Sequence, residues 1–160
     1  MSRIRPYLVF AAWFWIVAAL QQTLGTRAMI GSASPDFLLT LGLVAAVMYP
    51  PRIACLLGFT AGVLHGGIAG ADLSGLAISR TLACFGAGFV SRLDLEIKPV
   101  YVALVVFAGT LAAQVMMMVP APPPAAWVYV RDTLFGAMYN AALALPVYLL
   151  LRRSLRHRMN

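Results

Sequence analysis

Apolar residues gather along this chain into long runs bounded by charges, prolines or glycines, and none of the runs alternates polar with apolar positions as a lipid-facing barrel strand must. A helix needs roughly 20 apolar residues to cross a hydrocarbon core of ~30 Å. On that criterion six spans are expected, at about 7–24, 36–49, 52–70, 72–90, 99–119 and 131–151. The second, stopped by Pro50 and Pro51, is short for a crossing; it is tilted, broken, or extended backward through "RAMIGSAS". The connections are poor in signal. "VPAPPPAAW" predicts a stiff polyproline-like link, with Trp127 and Tyr129 suited to the headgroup region, and "SRLDLEIKP" is too short to form a domain. Residues 1–160 therefore read as a single transmembrane domain, an all-α six-helix bundle.

Composition agrees with this reading. Of 160 residues 62% are hydrophobic and 11% charged, with a mean hydropathy of +0.86, more than a water-soluble core of this size requires. The net charge of +7 would suggest nucleic acid in a soluble protein, but here the charges sit in short runs between apolar stretches. They speak of orientation and not of nucleic acid. Nine basic residues (Arg3, Arg5, Arg52, Arg92, Lys98, Arg152, Arg153, Arg156, Arg158) fall on the side of the termini, and two, Arg27 and Arg131, on the other. The positive-inside rule then places both termini in the cytoplasm of a multi-pass inner-membrane protein. The basic start with "YLVFAAWFWIVAAL" lacks a clear cleavage site and reads as an uncleaved first span. Asp36, Asp72 and Asp132 open the three spans that run inward, as caps stabilised by free amides and the helix dipole.

Two features remain inside the membrane. Gly58, Gly62, Gly66 and Gly70 recur every four residues on the third span, and Gly75, Ser79, Ala83 and Ala87 do so on the fourth. Lipid provides no hydrophobic drive for helix association, so facing stripes of small residues predict a close antiparallel hairpin turning at Ala71. The twelfth basic residue, Arg80, lies ~12 Å below the outer end of its helix. At that depth its charge costs at least ~2.5 kcal/mol without a partner or a wet cavity. Asn140 is expected at nearly the same depth, and His65 and Gln114 about a turn nearer the surface. These four predict a polar pocket in the outer half, with Arg80 bonded to Asn140 or to nearby carbonyls. The structural version is a satisfied network; the functional one is a site for an anionic ligand or an acidic partner group.

No catalytic pattern emerges: the sequence has no GxSxG, no HExxH, no P-loop and no aspartate pair at mid-depth, and its sole lysine, Lys98, lies in a cytoplasmic loop. The chain is not expected to be an enzyme. Metal ligation by His65 lacks companions, Cys55 and Cys84 read as small buried hydrophobes, and no cofactor is implied. "MMM" at 116–118 reads as adaptable core, and "RRSLRHRMN" as the stop of the last span, with its arginines available to anionic lipid.

The order of "SPDFLLTLGLVAAVMYPPR", "GFTAGVLHGGIAG" and "LFGAMYNAALALPVYLLLRR" resembles the MreD family, rod-shape-determining membrane proteins of the bacterial cell-elongation machinery. Pro35, the Gly58-Phe59-x-x-Gly62 pattern, Asn140 and Pro146 carry the resemblance, which covers most of the chain after about residue 34. Where that family commonly has an aspartate soon after GFxxG, this chain has His65. The resemblance implies a non-enzymatic scaffold that pairs with MreC through its transmembrane helix and the start of its periplasmic domain. It implies further partners in RodA, a class B penicillin-binding transpeptidase and MreB, in support of peptidoglycan synthesis and cell shape. It also implies a fold similar to the substrate-binding subunits of energy-coupling-factor vitamin transporters. An alternative reading is such a subunit itself, with a small molecule in the outer-half pocket.

Overall fold

A computed structural model of the protein describes residues 5–25, 27–29, 34–70, 72–93, 98–119 and 122–156. The expected turn at Ala71, Arg3, most of the charged loop after Leu93 and the tail beyond 156 lie outside them. Among the described residues there are six helices: α1 (Arg5–Leu24), α2 (Phe37–Met48), α3 (Pro51–Ala69), α4 (Leu73–Gly88), α5 (Pro99–Met117) and α6 (Ala126–Arg156), with a 3-10 turn, Phe89–Arg92, after α4. Among the described residues there is no strand. Among the described residues four helices are long and apolar enough to cross a membrane: α3, α4 with its 3-10 turn, α5 and α6. Val9–Leu24 and Phe37–Met48 are shorter apolar segments. The set is compatible with a multi-pass membrane protein.

Polarity is distributed as a bilayer demands and as water forbids. Trp15, Phe59, Ile78, Leu104 and Phe135 are exposed on the outer surface, whereas Asp36, Thr40, Arg80, Thr110 and Asn140 are buried.

The short second helix is the axis of the fold. Every residue of α2 from Leu38 to Val47 is buried, and α2 touches each of the other five helices. Its 12 residues span only about 18 Å, well below the hydrocarbon thickness. Its flanks are enclosed by the other five helices and its start, at Asp36, is buried, so that end meets protein. The backward extension through "RAMIGSAS" is not seen where that stretch is described: residues 27–29 and 34–36 are non-helical.

The α3–α4 hairpin is antiparallel, as expected, but its contact line differs. A Cβ placed on Gly62 would fall 2.5 Å from Ala77 Cα and 2.6 Å from the Leu76 carbonyl; one on Gly58 would fall 2.5 Å from the Arg80 carbonyl and 2.7 Å from Cys84 Cβ. Backbone therefore meets backbone at these two positions, and no side chain fits. The glycine face of α3 thus meets Leu73, Ala77, Arg80 and Cys84, in place of the stripe Gly75, Ser79, Ala83, Ala87. Gly75 instead turns to Met117 of α5, and Ser79, Ala83 and Ala87 are buried in their own right. Gly70 is likewise not a packing residue. It is the left-handed C-cap of α3, with φ of 62° and open space where its Cβ would be.

Helix α6 also departs from expectation, beginning at Ala126 rather than Arg131 and running 31 residues, about 46 Å. The proline-rich link ends earlier, so Trp127 and Tyr129 lie on the helix. Asp132 is consequently in its second turn and is not a cap, whereas Asp36 and Asp72 do cap α2 and α4 by accepting from Leu39 N at 2.9 Å and Gly75 N at 3.1 Å.

Candidate functional site: a polar knot at the start of the central helix

Because α2 starts inside the protein, its leading residues bring unpaired backbone groups and a carboxylate into the interior, where each needs a partner. Side chains from all the other helices supply them, directly or through one another. From α1, Gln21 bonds both ways across the bend: its Nε2 donates to the Pro35 carbonyl at 3.2 Å and its Oε1 accepts from Phe37 N at 2.8 Å. From α6, Asn140 Oδ1 accepts from Asp36 N at 3.0 Å, and its Nδ2 donates to Thr110 Oγ1 of α5 at 3.4 Å. Thr40 Oγ1 donates to the Asp36 carbonyl at 2.8 Å.

The carboxylate itself answers the question of Arg80. Asp36 Oδ1 caps the helix through Leu39 N, and Oδ2 accepts from Arg80 Nη2 of α4 in a buried ion pair. His65 of α3 completes the cluster. Its Nδ1 lies 3.2 Å from Asp36 Oδ1 and 2.9 Å from Arg80 Nη2. A single imidazole nitrogen donates to the carboxylate or accepts from the guanidinium, so its role is set by the tautomer. Arg80 Nε is buried and has no partner among the described residues.

The four residues expected to form the pocket are thus gathered at one end of the bundle, with different bonds. Arg80 pairs with Asp36, not with Asn140, which is spent on the backbone of Asp36 and on Thr110. Gln114 stands apart from the ion pair. Its backbone carbonyl and its Oε1 accept from Tyr129 Oη at 2.8 and 3.0 Å, tying α5 to α6. Asp36, Gln21 and Thr110 were not anticipated as members. For Asp36 the available signal was the shortness of the second span, because a helix too short to cross begins below the surface and carries its cap down with it.

A cavity of about 470 Å³ opens above the knot, floored by Asp36, His65 and Arg80 and walled by Gln114, Tyr129 and Asp132. Its size suits a small molecule. Its charges, however, are already matched: Arg80 faces Asp36, and Asp132 Oδ1 accepts from Arg131 Nη2 at 3.1 Å. Among the described residues no three of His, Cys, Asp and Glu come together as metal ligands. The arrangement can hold helices in register and accept hydrogen bonds; among the described residues the guanidinium of Arg80 is charge-matched by Asp36, with its Nε the one donor left over. Comparison with protein-family models, with curated proteins and with solved structures finds no match to this chain.

Proposed function

We propose that the chain is a non-enzymatic scaffold of the MreD type in the bacterial inner membrane, a six-span bundle with both termini in the cytoplasm. In this reading it holds MreC and, with RodA, its transpeptidase and MreB, supports wall synthesis during elongation. One observation carries the reading: the single charge carried by the middle of α4, Arg80, is neutralised within the protein by Asp36. A receptor for an anion would leave that guanidinium free; a scaffold uses it to fix helices. The broad apolar outer faces, with Trp15, Phe59 and Phe135 exposed, suit association with a partner's transmembrane helix. The test is co-expression with an MreC-like protein and purification in detergent. A stable complex is expected, and a chain that elutes alone beside abundant MreC contradicts the proposal.

The cavity of about 470 Å³ favours a second reading, a ligand-binding membrane subunit related in fold to the vitamin-transporter substrate subunits. It requires a small molecule that survives purification and is lost on Arg80→Ala. Empty protein from gentle detergent argues for the scaffold.

A further inference from the structure

The cavity above the polar knot is layered by the helices that wall it. On α6, Asn140, Gly136 and Asp132 all line it; at the rise of an α-helix they stand at the floor, about 6 Å above it and about 12 Å above it. On α4, Arg80 and Leu76 line it in the same order, with Arg80 at the floor and Leu76 about 6 Å higher. The middle level has room, since a Cβ on Gly136 would meet nothing within 4 Å. Gln114 of α5 lines the cavity as well, with its amide oxygen spent on Tyr129. The space of about 470 Å³ is therefore a well with a polar group at its floor and another at its top.

The two ends ask for different chemistry. At the floor the charge of Arg80 is met by Asp36, but its Nε is buried and without a partner among the described residues. A buried donor left unbonded is costly, and Arg80 lines the cavity, so an acceptor for Nε enters from there. At the top, Asp132 is paired with Arg131, yet the two side chains are 30% and 50% exposed, and an exposed pair of that kind holds weakly. Arg131 is not part of the cavity wall, which carries two carboxylates, Asp36 and Asp132, against the one guanidinium of Arg80. With His65 uncharged, the well has a negative charge in excess toward its top, where it attracts cations and repels anions.

We infer that this well binds a small organic amine with a hydrogen-bond acceptor at its far end. The ammonium lies at Asp132, a methylene stem passes Leu76 and Gly136, and a neutral carbonyl oxygen accepts from Arg80 Nε. A carboxylate at the floor fits less well, because Asp36 is already there. The inference rests on the ligand-binding reading of the cavity and names its class of ligand.

The test uses the full chain in phosphatidylcholine nanodiscs, with Cys55 and Cys84 changed to alanine and one cysteine introduced by Gly136→Cys, whose side chain enters the open middle of the well. Mass spectrometry follows the rate of its alkylation by N-ethylmaleimide, and Leu104→Cys, at an exposed position of α5, is the control. The probe 6-aminohexanamide carries an ammonium and a carbonyl at its two ends. It is expected to halve the rate at Gly136→Cys at about 1 mM, as two hydrogen bonds involving charged groups would give. Hexylamine, which lacks the acceptor, and hexanamide, which lacks the ammonium, should each need about tenfold more, the loss of one such bond. Asp132→Asn should raise the requirement for 6-aminohexanamide about tenfold and leave that for hexanamide unchanged. None of the three compounds should slow Leu104→Cys. Should Gly136→Cys fail to fold, Thr133→Cys places the thiol on the same wall. Alkylation at Gly136→Cys that the three compounds leave unchanged or slow alike, or protection indifferent to Asp132→Asn, overturns this class of ligand while the cavity stays accessible. A Gly136→Cys thiol that does not react while that of Leu104→Cys does shows a closed cavity, and the ligand-binding reading then falls together with the inference.

Discussion

Replacing one member of the Asp36–Arg80 pair leaves the other as an uncompensated charge in the interior. Asp36→Asn isolates that effect, because the amide oxygen can still cap α2 by accepting from Leu39 N. Breaking a buried pair by removal of one partner costs ~3–5 kcal/mol, and insertion scales for Arg or Asp at a helix centre give ~2.5–3.5 kcal/mol. About 3 kcal/mol is therefore expected for Asp36→Asn and for Arg80→Met, each lowering the melting temperature by about 6–12 °C in a chain of this length. The double variant carries no unpaired charge. Its cost should fall to about 1–2 kcal/mol, a coupling of several kcal/mol between residues 44 positions apart in sequence. Unfolding by sodium dodecyl sulfate in mixed micelles, monitored by tryptophan fluorescence, measures all three variants. Single-variant costs that add in the double variant to within ~0.5 kcal/mol would refute the pairing argument.

Other outcomes follow from the same geometry. Gly62→Ala is expected to cost ~1–3 kcal/mol, because its Cβ meets the backbone of α4, whereas Gly67→Ala, with nothing within 4 Å, should be neutral or mildly stabilising; melting temperatures compare them. Gln21→Leu removes both bonds that hold the end of α1 to the bend before α2 and should cost ~1–3 kcal/mol, with faster proteolysis between α1 and α2 as a second readout. Tyr129→Phe loses the link to Gln114 and the hydrogen bond with Thr133 and should cost ~1–3 kcal/mol by the same melting assay.

Much of this architecture was legible in the sequence, because the membrane imposes simple lengths. The bounds of α3, α4 and α5, the caps at Asp36 and Asp72, the glycine face of α3 and the need of Arg80 for a partner all follow from hydropathy, spacing and the cost of a buried charge. The partner was missed because depth was counted from the acids as though each lay at the surface. Asp72 is exposed, but Asp36 is buried with only 8% of its surface accessible, since α2 is short and central. Cap and ion-pair partner are the same residue, one oxygen for each task. The contact line on α4 was missed for another reason. Small residues lie on more than one face of that helix, and sequence cannot rank faces that differ only in what approaches them. At α6, Pro123 and Pro124 mark the residues before a helix as readily as they mark an extended link, and a first turn at Ala126 followed.

The proposed six-span arrangement requires α2, a helix of 12 residues enclosed by the other five, to cross the membrane, so its two ends must then face opposite sides. Full-length chains with Cys55 and Cys84 changed to alanine and a single cysteine at Arg27 or at Arg52, both exposed, report this through a membrane-impermeant maleimide on intact cells. Labelling of Arg27→Cys in intact cells, with Arg52→Cys labelled only after permeabilisation, is the expected result. Equal labelling of both from the same side would show that α2 does not cross, and the sheathed-helix account would fall.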